Sequence, residues 1–72
     1  MTAPAKDQAR ADLVAYHKAV IAGRHAHALA IEQKYDLNGL PPRLVSIGLA
    51  AAADGRDHLA AVDEHLDPSG DA

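Results

Sequence analysis

The run Leu40–Ala53, LPPRLVSIGLAAAA, is apolar on nearly every side, so the rest of the chain has to be arranged to cover it. Pro41 and Pro42 suit the first turn of a helix, where the backbone N–H has no intrahelical partner and a fixed φ is already helical. A helix is therefore predicted from Pro42. On a helical wheel Leu44, Ile47, Gly48 and Ala51 form one stripe, and Val45, Leu49 and Ala52 form a second beside it. Only Arg43, Ser46, Ala50 and Ala53 are left for a solvent face. A helix this apolar all round is normally a buried one. Gly48 costs about 1 kcal/mol of helix propensity relative to alanine, so either another backbone passes close to it or it is a neutral surface position.

What can cover that helix is limited. The chain has 72 residues, near the lower limit for a self-sufficient core, and contains no phenylalanine or tryptophan and only two tyrosines. Its core has to come from Leu, Ile, Val and many alanines. With no cysteine, disulfides and thiolate metal sites are excluded. One core of this kind supplies no more than about 3–5 kcal/mol, which favours self-association or docking onto a partner.

The flanking segments read as three further helices. From about Pro4 to Ala22 a helical pattern places Leu13, His17, Val20 and Ile21 on one face, flanked by Val14 and Tyr16. Asp7 and Asp12 lie towards its positive end and Lys18 and Arg24 towards its negative end, the arrangement the helix dipole favours. Gly23 supplies the left-handed position that ends it. A second helix, His25 to about Tyr35, turns Ala28, Ile31 and Tyr35 to one side and Leu29 with Ala26 to the other. Asn38-Gly39 is a turn signal before the prolines, and Leu37 and Leu40 pin that loop to the core. The helix over 42–53 stops at Asp54-Gly55. Asp57 then caps a last helix through Leu66, with Leu59, Val62 and Leu66 as its stripe. Residues 1–3 read as a disordered lead and 67–72 as a frayed acidic tail. The expectation is one all-α domain of four short helices, about 4–22, 25–35, 42–53 and 57–66, forming two hairpins in a compact bundle without strands. Its expected core is Leu13, Val20, Ile31, Tyr35, Leu44, Ile47, Leu59 and Val62.

Ala22-Gly23-Arg24 precedes one short helix and Asp54-Gly55-Arg56 the other, thirty-two positions later, close to the period of helical-hairpin repeats. Residues 16–35, YHKAVIAGRHAHALAIEQKY, resemble a tetratricopeptide unit, with Gly23 as the turn glycine and Ala28 and Tyr35 as the small and aromatic packing positions. The resemblance covers under a third of the chain and lacks the first-helix tryptophan-leucine-glycine pattern; it implies hairpin packing only. The alanine-rich, cysteine-free composition and the plan of the chain are also similar to small uncharacterised helical proteins of actinobacteria and their phages. That similarity rests on no motif. It implies an accessory or host-interaction role and assigns no site residue.

The chemistry-bearing residues do not assemble into a motif. A zinc site on a helix uses histidines four apart, whereas His58 and His65 are seven apart, about 10 Å along the axis. His25 and His27 point to different faces, and Gly55 interrupts Asp54 and His58. No metal site or cofactor is expected. His17 falls within the first helix's apolar stripe, which makes it either a packed histidine bonded to a carbonyl or to a side chain such as Tyr35, or a pH-sensitive group or general base. It comes without a nucleophile: Ser46 and Ser69 are the only serines. Asp63, Glu64 and Asp67 fall on a solvated face where nothing raises a carboxylate's pKa. No catalytic residue is assigned and no enzyme is expected.

The formal charge is −3, with both signs mixed along the chain, which argues against a phosphate-binding surface. Five histidines could carry that charge to positive values as pH falls through about 6.5, making solubility pH-sensitive. The two helices around Asp54-Gly55-Arg56 could form a helix-turn-helix, but the second offers Asp57, His58, Asp63 and Glu64, the wrong charge for a recognition helix. Lys6, Arg10 and Lys18 on the first helix could still touch phosphate in a dimer. No apolar run approaches the roughly 18 residues of a membrane span, and the N-terminus lacks a signal peptide's apolar core, so a cytoplasmic protein is expected. The expected function is a small non-enzymatic protein-interaction module, homodimeric and possessing an interface built on Val45, Gly48, Leu49, Ala52 and Leu29, since small residues let helices approach closely. The alternative is a small DNA-associated transcriptional regulator.

Overall fold

Three helix ends, all closed the same way, organise the chain. The computed structural model describes residues 5–66, in which α1 runs over Lys6–Ala22, α2 over His25–Lys34, α3 over Pro42–Ala53 and α4 over His58–Leu66. The lead over 1–3 and the acidic tail over 67–72 lie outside the described residues, and the first helix begins at Lys6, after an extended Ala5, rather than at about Pro4. At the end of α1, Gly23 (φ 75°) donates its N–H to the Val20 carbonyl, and Arg24 donates to that of Ala19. At the end of α3, Gly55 (φ 82°) donates to Ala52 and Arg56 to Ala51. Both are Schellman closures, so the Gly-Arg echo in the sequence is one helix-ending device used twice. The end of α2 repeats the bonding with Asp36 (φ 60°) in the left-handed position: Asp36 donates to Gln33 and Leu37 to Glu32. Aspartate is among the few non-glycine residues that tolerate this conformation.

The starts of the later helices follow their sequence signals. Pro41 and Pro42 open α3. Asp57 Oδ1 accepts the N–H groups of Leu59 at 3.0 Å and Ala60 at 3.3 Å, satisfying two donors that have no intrahelical partner.

Among the described residues there is no strand. The α3 helix lies at the centre, packed against α1 and α4, and α1 also packs against α2. The fold is thus the all-α bundle expected, with α1 against α3 as its most extensive interface. Ile31, Tyr35, Leu44 and Val62 are buried as expected, and Leu13 and Ile47 pack against the core while partly exposed. Val20 and Leu59 do not belong to it: they are 39% and 43% exposed. In their place stand Ala9, Tyr16, Ala19, Ala28, Leu37, Val45, Leu49, Ala51, Ala53 and Ala61, together with Asp12. Ala53, expected on the solvent face, is thus an inward residue. The buried face of α1 is turned about a quarter of a circumference from the expected stripe, and α4 is turned by a similar amount. The buried side includes alanines in both, Ala9 and Ala19 in α1 and Ala61 in α4.

Gly48 is a packing position, although what comes close is side chain rather than backbone. A Cβ there would stand 2.9 and 3.1 Å from the two methyl carbons of Leu37 and 3.1 Å from Val62 Cγ2. Leu37 is wholly buried and Val62 nearly so, which leaves them little room to yield. Gly48→Ala gains about 1 kcal/mol of helix propensity but overpacks a filled site, at about 1–3 kcal/mol. The net expectation is a loss of about 1 kcal/mol, read as a fall in melting temperature of about 4–8 °C.

Candidate functional site

Asp12 is the one buried charged residue among those described, and it sits where α1 meets the end of α2. Three residues converge on its carboxylate. Tyr35 donates its hydroxyl to Oδ2 at 2.6 Å, Lys34 Nζ reaches Oδ2 at 3.1 Å and Oδ1 at 3.3 Å, and Gln8 Nε2 donates to Oδ1 at 3.1 Å from one turn earlier on α1. Burial pushes the carboxyl pKa up, but the hydrogen bonds from Tyr35, Lys34 and Gln8 outweigh it and hold Asp12 below its ordinary value. Tyr35 responds in the opposite sense, its hydroxyl driven well above the usual phenol range by burial and by the Asp12 carboxylate. A carboxylate enclosed by its own donors is a lock between two helices. Asp12 therefore does not play the part of a dipole-complementing surface acid; only Asp7 occupies the first turn in that way.

Tyr35 also ties in α4. His58 Nε2 lies 2.9 Å from the Tyr35 carbonyl oxygen, to which it donates, and the two rings meet edge to face at 5.4 Å and 87°. Among the described residues no buried side-chain polar atom lacks a partner.

The histidines are distributed rather than gathered. His17 is exposed on α1 and does not reach Tyr35, whose hydroxyl is taken by Asp12. Its Nε2 instead lies 2.5 Å from Ser46 Oγ across the boundary between α1 and α3. Nothing in the sequence links Ser46 to His17, because the pairing spans 29 positions and depends on helix rotation. His65 Nδ1 approaches the Ala61 carbonyl at 3.2 Å. No group of three or more His, Asp or Glu side chains that could hold a metal ion occurs among the described residues. Arg56 pairs with Asp54 at 3.7 Å in full view of solvent, a contact worth little. Between α1 and α2 a shallow groove of about 390 Å³ is bounded by Ala15, Lys18, Ala19, Ala22, Arg24 and His27, giving it a basic rim.

The expected interface residues are mostly inside the protein. Val45 and Leu49 have no exposure, Gly48 is buried and Ala52 partly so, covered within a single chain because α3 is the central helix. A second copy has no access to Val45, Gly48 or Leu49. Leu29, by contrast, is 41% exposed. Uncovered apolar side chains occur on the outer helices instead: Val14 and Ile21 on α1, the latter 86% exposed, and Leu59 and Leu66 on α4. Among the described residues no helix is long and apolar enough to cross a membrane. Comparison with known protein families, with characterised proteins and with solved structures finds no match to this chain.

Proposed function

We propose that this chain is a small non-enzymatic protein-interaction module of the cytoplasm, a homodimer that serves as an accessory or host-interaction protein. The observation that supports it is Ile21, a large β-branched side chain 86% exposed on the outer face of α1, with half-exposed Val14 seven residues before it. Single exposed apolar residues are ordinary on any protein surface. Two stacked on the outward side of one helix, on a domain with so little apolar material to spare, support an interface.

Light scattering over a concentration series, at pH 7.5 and at pH 5.5, tests this reading. A mass that rises towards twice that of the chain is expected. Ile21→Asp should return it to the monomer with an unchanged circular dichroism spectrum, because the residue contributes almost nothing to the core. A monomer at every concentration would overturn self-association. The alternative, a DNA-associated regulator using Lys6, Arg10 and Lys18, would instead bind duplex DNA with a steep salt dependence.

A further inference from the structure

The outer faces of α1 and α4 carry matching patterns of opposite charge. On α1, Val14, Lys18 and Ile21 stand at i, i+4 and i+7; on α4, Leu59, Asp63 and Leu66 stand at the same three offsets. That spacing puts each triad on one side of its helix, with the apolar residues about 10 Å apart and the charge between them. All six side chains are exposed: Val14 by 49%, Leu59 by 43% and Leu66 by 58%, with Ile21, Lys18 and Asp63 also open to solvent. Among the described residues neither Lys18 nor Asp63 forms an ion pair.

We infer that the α1 triad of one copy docks on the α4 triad of a second copy, with Lys18 of one facing Asp63 of the other. The inference rests on the self-association proposed above and specifies its surfaces. Charge complementarity selects the occupant. Two α1 faces brought together would oppose Lys18 to Lys18, and two α4 faces Asp63 to Asp63; only the mixed contact pairs apolar with apolar and cation with anion. Each copy carries both triads, so one contact of α1 on α4 joins two copies.

Charge exchange tests it. Lys18→Glu and Asp63→Lys alter exposed positions, so both variants should fold, as circular dichroism would verify. Each alone turns the ion pair of the contact into a repulsion and should weaken self-association roughly tenfold, as measured by light scattering or sedimentation equilibrium. An equimolar mixture of the two restores the contact. In a mixed pair either the introduced glutamate of one variant faces the introduced lysine of the other, or the retained Asp63 of the first faces the retained Lys18 of the second. The mixture should associate about as tightly as the unaltered chain, as should the double variant. The two substitutions move net charge in opposite directions, so weakening by both cannot come from overall charge. If the unaltered chain associates but the single variants associate equally well, or their mixture no better than either alone, the triad contact is wrong while self-association stands. A chain that is monomeric throughout overturns both.

Discussion

Leu49→Asp should leave the chain unfolded at 25 °C, while Ile47→Asp should leave it folded but weakened. Leu49 has no exposure, on the helix that packs against both α1 and α4. A carboxylate there has no cation or donor within the apolar cluster, and an unpaired buried charge costs more than the roughly 3–5 kcal/mol that one small core supplies. Ile47 packs against the same cluster from its partly exposed edge, where a carboxylate can turn towards water. Urea titrations followed by circular dichroism at 222 nm separate the cases. Leu49→Asp should show no transition, and Ile47→Asp a transition at lower urea with amplitude retained. Equal behaviour of the two would mean that the rotation of α3 is misplaced.

Loss of the Asp12 lock has the next largest effect. Asp12→Ala should cost about 2–3 kcal/mol, because it leaves the buried Tyr35 hydroxyl without its acceptor and removes the charge-assisted hydrogen bonds to the carboxylate. Tyr35→Phe removes one charge-assisted hydrogen bond and should cost about 1–2 kcal/mol. Lys34→Ala should cost less than about 1 kcal/mol, since the lysine side chain is 45% exposed and its attraction is screened. The order of the three, measured by urea midpoints at pH 7, is the signature of a lock made chiefly by the tyrosine. The cluster also predicts acid behaviour. The Asp12 carboxyl titrates below its ordinary range in the folded chain. Its contribution is therefore fully present above the unfolded value, about 3.9, and is lost as pH falls through the folded one. Asp12→Asn, which cannot ionise, should lose less stability than the unaltered chain between about pH 5 and pH 2. Parallel losses would place the acid sensitivity elsewhere.

Helix number, order and limits were legible because they are written in residues with few conformational choices: the Pro41-Pro42 start, the Asp57 cap, and Gly23 and Gly55 after their helices. The ending of α2 at Asp36 was not, since aspartate in the left-handed region carries no sequence signal distinguishing it from aspartate in any turn. Helix rotation was legible only for α2 and α3. In α1 the large residues Leu13, Val20 and Ile21 point to one face, yet the chain buries Ala9, Asp12, Tyr16 and Ala19. Where alanine is abundant, hydrophobic contrast between faces is low, and close approach of helices selects the small residues over the large ones. Asp12 compounded this, because a charged residue on the buried face subtracts from the apolar stripe that marks it. Its partners lie 22 and 23 positions away. Most of the expected interface residues lie inside for a related reason: a helix apolar on all sides reads equally as a central helix and as one awaiting a second copy. The His17–Ser46 contact and the two outward triads became visible only once the rotations of α1, α3 and α4 were known.

Tyr35 serves three helices at once, its hydroxyl holding α1, its carbonyl and ring holding α4, and its own backbone closing α2. Neither half of the chain is therefore a free-standing folding unit. Opening the first hairpin unseats His58, and pulling α4 away strips a donor and an aromatic neighbour from the residue that clamps the first hairpin. Amide protons of α2 and α4 should accordingly exchange with solvent through one shared opening, at a common rate set by global unfolding rather than by fraying of either hairpin alone.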